Sequence, residues 1–312
     1  MVTPGTMPPA VEATGLTKLY GRARGILDLN LRVERGEIFG FLGPNGAGKT
    51  TTIRTLLGFI RPTSGGGRVL GHDVAAESVE IHRRVGYLPS ELALYPNLTG
   101  REVIALSASL RGGVPSDRIA DLARRLEVDV GRPVKAYSHG NRQKIGLILA
   151  LMHRPELLIL DEPTNGLDPL VQQTFYELLH EHRAAGGTVF ISSHVLPEVE
   201  RLCDRVAIVR EGRLVAVEAV AGLKEKALRQ IEFVFAEPVD VDAFRDLPGV
   251  VEVTASGTTV RLAIRGSVDR IVKAAAASTV QNVVTYEPSL EEIFLAFYRD
   301  TANGGVEVGP NG

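Results

Sequence analysis

Residues 43–51 read GPNGAGKTT, which fits the phosphate-loop pattern G-x-x-x-x-G-K-[ST]. Each residue type in it has a physical reason. Gly43, Gly46 and Gly48 let a loop that also holds Pro44, Asn45 and Ala47 curl its amides around phosphate oxygens. Lys49 brings a positive charge to the β- and γ-phosphates of a nucleotide, and the Thr50 hydroxyl, followed by Thr51, suits Mg²⁺. The plain alternative is a Gly-rich strand-to-helix turn that binds nothing. A second cluster, LLILDE at 157–162, is an apolar segment ending in two acids. A carboxylate at the end of a parallel strand faces the crevice where ligands bind. Asp161 there suits the water shell of Mg²⁺, and Glu162 is placed to orient or deprotonate an attacking water. Two solvated acids opening a turn are the alternative, weakened by the Pro163 and TNGLDP sequence that follows.

These residues need strands to deliver them and a helix to receive the phosphate. An apolar strand at 37–42 precedes the loop and a helical pattern at 52–60 follows it, the context a phosphate loop requires. Further strands are expected at 85–88, 157–160, 188–192 and 206–210. The almost wholly apolar runs at 157–160 and 189–191 suit central parallel strands covered on both faces. Between residues 98 and 152 the pattern turns to helices at 101–110, 116–126 and 141–152, read as a helical subdomain inserted between strands. A charged helical run at 217–228 leads to a second pattern. In it Ile231, Phe233 and Phe235 alternate with Glu232 and Val234. A short helix at 242–246, strands at 250–254 and 259–264, a helix at 268–277 and a strand at 283–287 complete a β-α-β-β-α-β order. The fold class expected is therefore α/β: a P-loop NTPase core with an inserted helical subdomain, plus a small C-terminal α+β ferredoxin-like domain closed by an amphipathic helix at 290–298. The domains expected are a loose leader at 1–10, the core at 11–220, the accessory domain at 221–300 and an unstructured tail at 301–312.

Composition narrows the function. The chain has 312 residues, 44% of them apolar, and a formal net charge of −2, which argues against a protein built for the backbone of nucleic acid. No aromatic pair suited to stacking bases marks the middle strands of the C-terminal pattern. The single Cys203 excludes an internal disulfide and a Cys-based zinc site, and reads as a buried core residue. No apolar run approaches the roughly 18 to 20 residues of a membrane span. The first residues, MVTPGTMPPA, lack the basic start and apolar run of a secretory signal.

The motifs taken together resemble one family. The phosphate loop is followed in order by YSHGNRQ at 137–143, LLILDEP at 157–163, NGLDP at 165–169 and SSH at 192–194. From residue 11 to about 220 the chain looks like the nucleotide-binding subunit of an ABC transporter, and no N-K-x-D motif of a GTPase is present. The resemblance implies an ATPase that uses ATP and Mg²⁺. Ser138 and Gly140, flanked by His139 and Asn141, resemble the signature that contacts the γ-phosphate held on the opposite subunit, which implies an ATP-dependent head-to-tail homodimer. His194 resembles the switch histidine at the γ-phosphate, and Asp168 the loop residue that couples two sites. Tyr20 resembles the aromatic that stacks on adenine. For Ser138 an ordinary helix N-cap remains the local alternative, for His194 a solvated strand end, and for Tyr20 a strand-edge aromatic.

Two departures stand out. The signature usually reads LSGGQ, and Tyr137, His139 and Asn141 replace three of its positions; a basic residue in the His139 slot looks like a branch of bacterial drug and antibiotic exporters. In VGYLPSE, Ser90 holds the place of the family's Mg²⁺-sensing glutamine. Glu91 beside it is a substitute metal ligand or, alternatively, faces the permease. The run YEPSLEEIFLAFY at 286–298 also looks like the ending of those exporter ATPases. The resemblance thus implies an ATPase at the cytoplasmic face of the membrane, held there by a separate integral permease through which it drives export. The alternatives left open are a soluble ABC ATPase acting on ribosomes or DNA, and an importer ATPase.

Overall fold

The computed structural model describes residues 7–21, 23–226 and 229–286. The chain divides between Val217 and Glu218 into two compact units.

The first unit is built on a six-stranded sheet in the order Arg213–Ala219, Arg205–Arg210, Ile38–Leu42, Thr188–Ser193, Leu157–Asp161, Val85–Leu88. The last five of these strands pair in parallel. Every residue of Ile38–Leu42, Leu157–Asp161 and Thr188–Ser193 is buried, as apolar runs covered on both faces require. Phe190 stands at the centre, with its ring centroid 5.9 Å from that of Phe39 and 5.3 Å from that of Phe41.

A second, antiparallel sheet of Ala23–Val33, Val11–Tyr20, Ser64–Val69 and His72–Asp73 lies outside the sequence-based expectation. The helix Lys49–Leu56 packs against strands of both sheets, so the element behind the phosphate loop is held from two sides. Its apolar residues Ile53 and Leu56 join Leu16, Ile26 and Leu29 of the antiparallel sheet in one core cluster. The expected leader ends earlier than residue 10. Ala10 is fully buried, its amide donates to Val33 O, and its carbonyl accepts from the Leu70 amide.

Between the sheet strands stand the helices Gly100–Leu110, Ser116–Arg125 and His139–Leu151. Thr99 opens the first with a full capping box, its hydroxyl accepting from the Glu102 amide while the Glu102 carboxylate reaches back. The helix His139–Leu151 packs on Val85–Leu88 and on both other helices. The charged helix expected at 217–228 begins later, at Val220–Lys226. Residues ahead of it alternate and form the strand Arg213–Ala219, whose Leu214 and Val217 pack on the core.

The second unit orders its strands Val250–Ser256, Thr259–Ile264, Arg229–Phe235, Val280–Tyr286, each pair antiparallel, with the helices Asp242–Arg245 and Asp269–Ala275 between them. This is the ferredoxin-like order. Phe233, Phe235 and Phe244 form its aromatic centre. The helix expected at 290–298 and the tail at 301–312 lie outside the described residues, as does most of the run at 286–298.

Phe190 is fully buried in the sheet that carries the acids. Phe190→Ala is expected to lower the unfolding free energy by about 3–5 kcal/mol, read from the urea midpoint at constant m.

Candidate functional site

The phosphate loop leaves the strand Ile38–Leu42 and enters the helix Lys49–Leu56. A Cβ on Gly43 would lie 2.4 Å from Val209 O, so the loop runs too close to the neighbouring strand for a side chain. Gly48 sits at φ 105°, where a Cβ would meet Gly25 O at 2.5 Å; only glycine satisfies both conditions. The Ala47 carbonyl is held by the Gly212 amide at 2.9 Å, which ties the loop to the turn following Arg205–Arg210. The helix behind has no side-chain cap and no acid in its first turn, so its positive end and free amides suit an anion.

Lys49 is 6% exposed and curls back along its own loop. Its Nζ donates to Gly43 O at 2.7 Å and Pro44 O at 3.3 Å, and lies 3.1 Å from Glu162 Oε1. One residue on, Thr50 Oγ1 donates to Asp161 Oδ2 at 2.8 Å. The other oxygen of Asp161 accepts from the buried Ser192 hydroxyl. Glu162 follows at the exit of the strand with φ 53°, a left-handed conformation that its side chain disfavours. Its amide donates to Ser192 O and Ser192 Oγ, both at 3.2 Å. His194 Nδ1 lies 2.6 Å from Glu162 Oε2, so the carboxylate is gripped between an imidazole and an ammonium.

A cavity of about 550 Å³ opens over these groups. Of the residues expected at a nucleotide site, Tyr20, Lys49, Thr50, Glu162, His194 and the Pro44, Asn45, Gly46, Gly48 and Thr51 part of the loop line it, together with Ser90 and Glu91. Tyr20 is 48% exposed, with Lys18 Nζ 5.4 Å from its ring centroid. Asn165 and Arg24 also line the cavity; sequence reading gave neither a role, since one lies in a loop and the other in an edge strand.

Ser138, His139, Gly140, Asn141 and Asp168 do not line this cavity. Ser138 caps the helix His139–Leu151, accepting from the Asn141 amide at 3.2 Å. A Cβ on Gly140 would lie 2.3 Å from Gly166 O, so the helix start rests directly on the loop that follows Glu162. Gln143, inside the same motif, donates to Pro163 O at 3.0 Å. Asp168 caps the helix Pro169–Ala184 through the Val171 amide at 3.0 Å, with Lys144 Nζ 3.8 Å away. That backbone hydrogen bond holds the Asp168 carboxyl below the usual range, and Lys144 adds to it.

Comparison with known proteins fits this geometry. A family profile described as ABC transporter matches residues 26–165. Over 230 residues the chain is 41% identical to the bacitracin transport ATP-binding protein BcrA of Bacillus licheniformis, covering 73% of this chain and 75% of that one. The chain belongs to the ATP-binding proteins of ABC transporters. The linearmycin resistance ATP-binding protein LnrL of Bacillus subtilis is 31% identical over 301 residues, spanning 91% of this chain and 97% of its own, so the likeness reaches into the C-terminal unit. Among solved structures, an ATP-binding subunit of an ABC transporter superposes with a TM-score of 0.64 at 30% identity, covering 70% of this chain and 92% of its own. The chain is thus an ABC ATPase, and its substrate is ATP.

In this ATPase the segment at 137–143 touches the loop that follows Glu162 rather than the cavity of its own chain. Gly140→Ala is expected to cost about 1–3 kcal/mol of stability by overpacking against Gly166. Chemical denaturation measures that loss. Nucleotide titration should give an affinity close to wild type, because Lys49 and its loop are untouched.

Proposed function

We propose that this ATPase powers the export of a small, drug- or antibiotic-like compound through a separate membrane permease. The observation that carries the catalytic part is the contact of Lys49, Glu162 and His194 above the Thr50–Asp161 pair. The names of the relatives, bacitracin transport and linearmycin resistance, support the export of such compounds.

In this reading the amides of residues 43–51 and Lys49 bind the triphosphate, and Tyr20 offers its exposed ring to adenine. Glu162 accepts the proton of the attacking water, while His194 fixes the carboxylate and reaches the γ-phosphate. The donor set suits Mg²⁺: a hydroxyl and a carboxylate at hydrogen-bond distance supply hard oxygens, and among the described residues no cluster of three His, Cys, Asp or Glu forms a complete cage. Thr50 would hold the ion directly and Asp161 through water. An ion held there would supply countercharge to the phosphate oxygens.

Cassettes of this family work as dimers beside a membrane permease. The finer proposal is a head-to-tail pair in which Ser138, His139, Gly140 and Asn141 of one copy complete the ATP site of the other, with Asp168 between the two sites. Because Ser138 lies away from the Lys49 cavity of its own chain, a partner's nucleotide is the ligand such a signature would meet. No helix among the described residues is long and apolar enough to cross a membrane. The reading puts the subunit at the cytoplasmic face of the membrane, bound through the permease, on the strength of its likeness to transporter ATP-binding proteins.

Lys49→Ala should weaken ATP binding by about 10²-fold or more, since a charge-assisted contact in a desolvated site is lost. Glu162→Gln should retain binding and lose about 10²- to 10⁴-fold in hydrolysis. With ATP and Mg²⁺ that variant should scatter light as a dimer, and without nucleotide as a monomer. Wild-type phosphate release from the Glu162→Gln protein would remove Glu162 from the role of base.

Ser90 and Glu91 line the nucleotide cavity, and both also border a smaller pocket against His139 and Arg142. A Ser hydroxyl reaches less far than a Gln amide, so the proposed metal substitute is Glu91. Glu91→Ala should then raise the Mg²⁺ concentration for half-maximal hydrolysis by about threefold or more, and Ser90→Gln should lower it. An unchanged requirement in both, with activity lost only beside the permease, would assign this segment to coupling.

A further inference from the structure

Glu198, in the helix Leu196–Leu202, is 8% exposed, and the hydrolysis scheme above gives it no task. A carboxylate withdrawn from water is costly unless its oxygens are hydrogen-bonded. Its partners are two hydroxyls. Ser193 Oγ donates to Glu198 Oε2 at 3.1 Å, and the Thr164 hydroxyl also hydrogen-bonds the carboxylate. Burial pushes the Glu198 carboxyl up, and the same two hydroxyls pull it back.

The positions of those hydroxyls are what matter. Thr164, itself 6% exposed, lies two residues beyond Glu162 and anchors the following turn, its carbonyl accepting from the Leu167 amide at 3.0 Å. Ser193 directly precedes His194 and is 1% exposed. While donating to Glu198, Ser193 Oγ accepts from the Val195 amide at 2.9 Å, which fixes the backbone on both sides of the histidine. The loops carrying Glu162 and His194 leave neighbouring strands, and their side chains meet at 2.6 Å on the cavity side. Glu198 joins the same two loops from outside that cavity, beside Thr164 in a neighbouring pocket.

We propose that Glu198 is a positioning residue for ATP hydrolysis: by accepting hydrogen bonds from Ser193 and Thr164 it holds His194 and Glu162 in register across the two strand ends. This rests on the reading of Glu162 as the base and His194 as its partner. A carboxylate accepts on both of its oxygens and carries no competing N–H, so it suits two hydroxyl donors better than an amide does. The Lys49 loop meets this network at the Ser193 carbonyl, to which the Gly43 amide donates at 3.4 Å; that backbone contact is left in place by side-chain changes at Glu198, so nucleotide binding and turnover should separate.

The test uses the full-length chain with ATP and Mg²⁺, measuring kcat, KM and nucleotide affinity. Glu198→Ala should lower kcat by about 10²-fold, the effect of a small misplacement of catalytic groups, with KM held to about threefold. Glu198→Gln keeps one acceptor oxygen and should recover about tenfold of that loss. Ser193→Ala and Thr164→Ala each remove a single donor, disturb packing little, and should each lower kcat by about 3- to 30-fold. In the Glu198→Ala background, Ser193→Ala should cost about twofold or less, because the shared interaction has already gone. Wild-type kcat in Glu198→Ala, equal loss in the Ala and Gln variants, or additive effects of Glu198→Ala and Ser193→Ala would each overturn the proposal. Glu162→Gln is the separate control: if it hydrolyses ATP normally the catalytic reading fails, whereas its inactivity beside an unaffected Glu198→Ala defeats only the latch.

Discussion

A nearly buried ammonium cannot be left without countercharge, and Lys49 sets that requirement at the centre of the molecule. Two carbonyls of its own loop and the carboxylate of Glu162 meet it. For those groups to converge, the ends of three parallel strands must stand side by side. The strand Ile38–Leu42 brings the loop, Leu157–Asp161 brings the acids, and Thr188–Ser193 lies between them carrying Ser192 and leading to His194. The burial of all three strands makes this possible, since a one-residue slip would move Asp161 away from Ser192, its partner in the ladder.

The support around the centre is mostly backbone. Gly43 and Gly48 are tight against carbonyls of adjacent segments, and Gly140 is equally tight against Gly166. The helix His139–Leu151 is therefore joined to the loop after Glu162, and the phosphate loop to the strands Arg205–Arg210 and Ala23–Val33, by close approaches that leave no room for adjustable side chains. Gln143 adds a hydrogen bond to Pro163 O, and Thr50 and Ser192 each hold one oxygen of Asp161. Such a frame fixes its acids by several short links, each made by a different element.

Much of this was legible in the sequence, and the reason is physical. Parallel strands covered on both faces are written as unbroken apolar runs, so the segments ending in Leu42 and Asp161 announced themselves, and a loop that must bend around phosphate is written in glycine. The ferredoxin-like unit was readable from the strict alternation of Ile231, Phe233 and Phe235. The antiparallel sheet was not. Its long strand Val11–Tyr20 is interrupted by bulges around Gly15 and Leu16, and its partner Ser64–Val69 begins with Ser followed by three glycines, which carries no period at all. Contacts between distant segments were equally silent: nothing in YSHGNRQ shows that its glycine rests on Gly166, and nothing near SSH marks Glu198 as the partner of Ser193 and Thr164.

Glu162 turns out of its strand with a positive φ, in a conformation that costs a non-glycine residue about 1–3 kcal/mol. Glycine or asparagine would adopt that bend with less strain, but neither would return a countercharge to the buried Lys49. The strained bend is held by Ser192, Lys49 and His194, which bind the residue from three directions. Relieving the backbone at residue 162 would thus strand an ammonium in the interior, so the bend and the charge on Lys49 form one arrangement in which neither part can be relaxed alone.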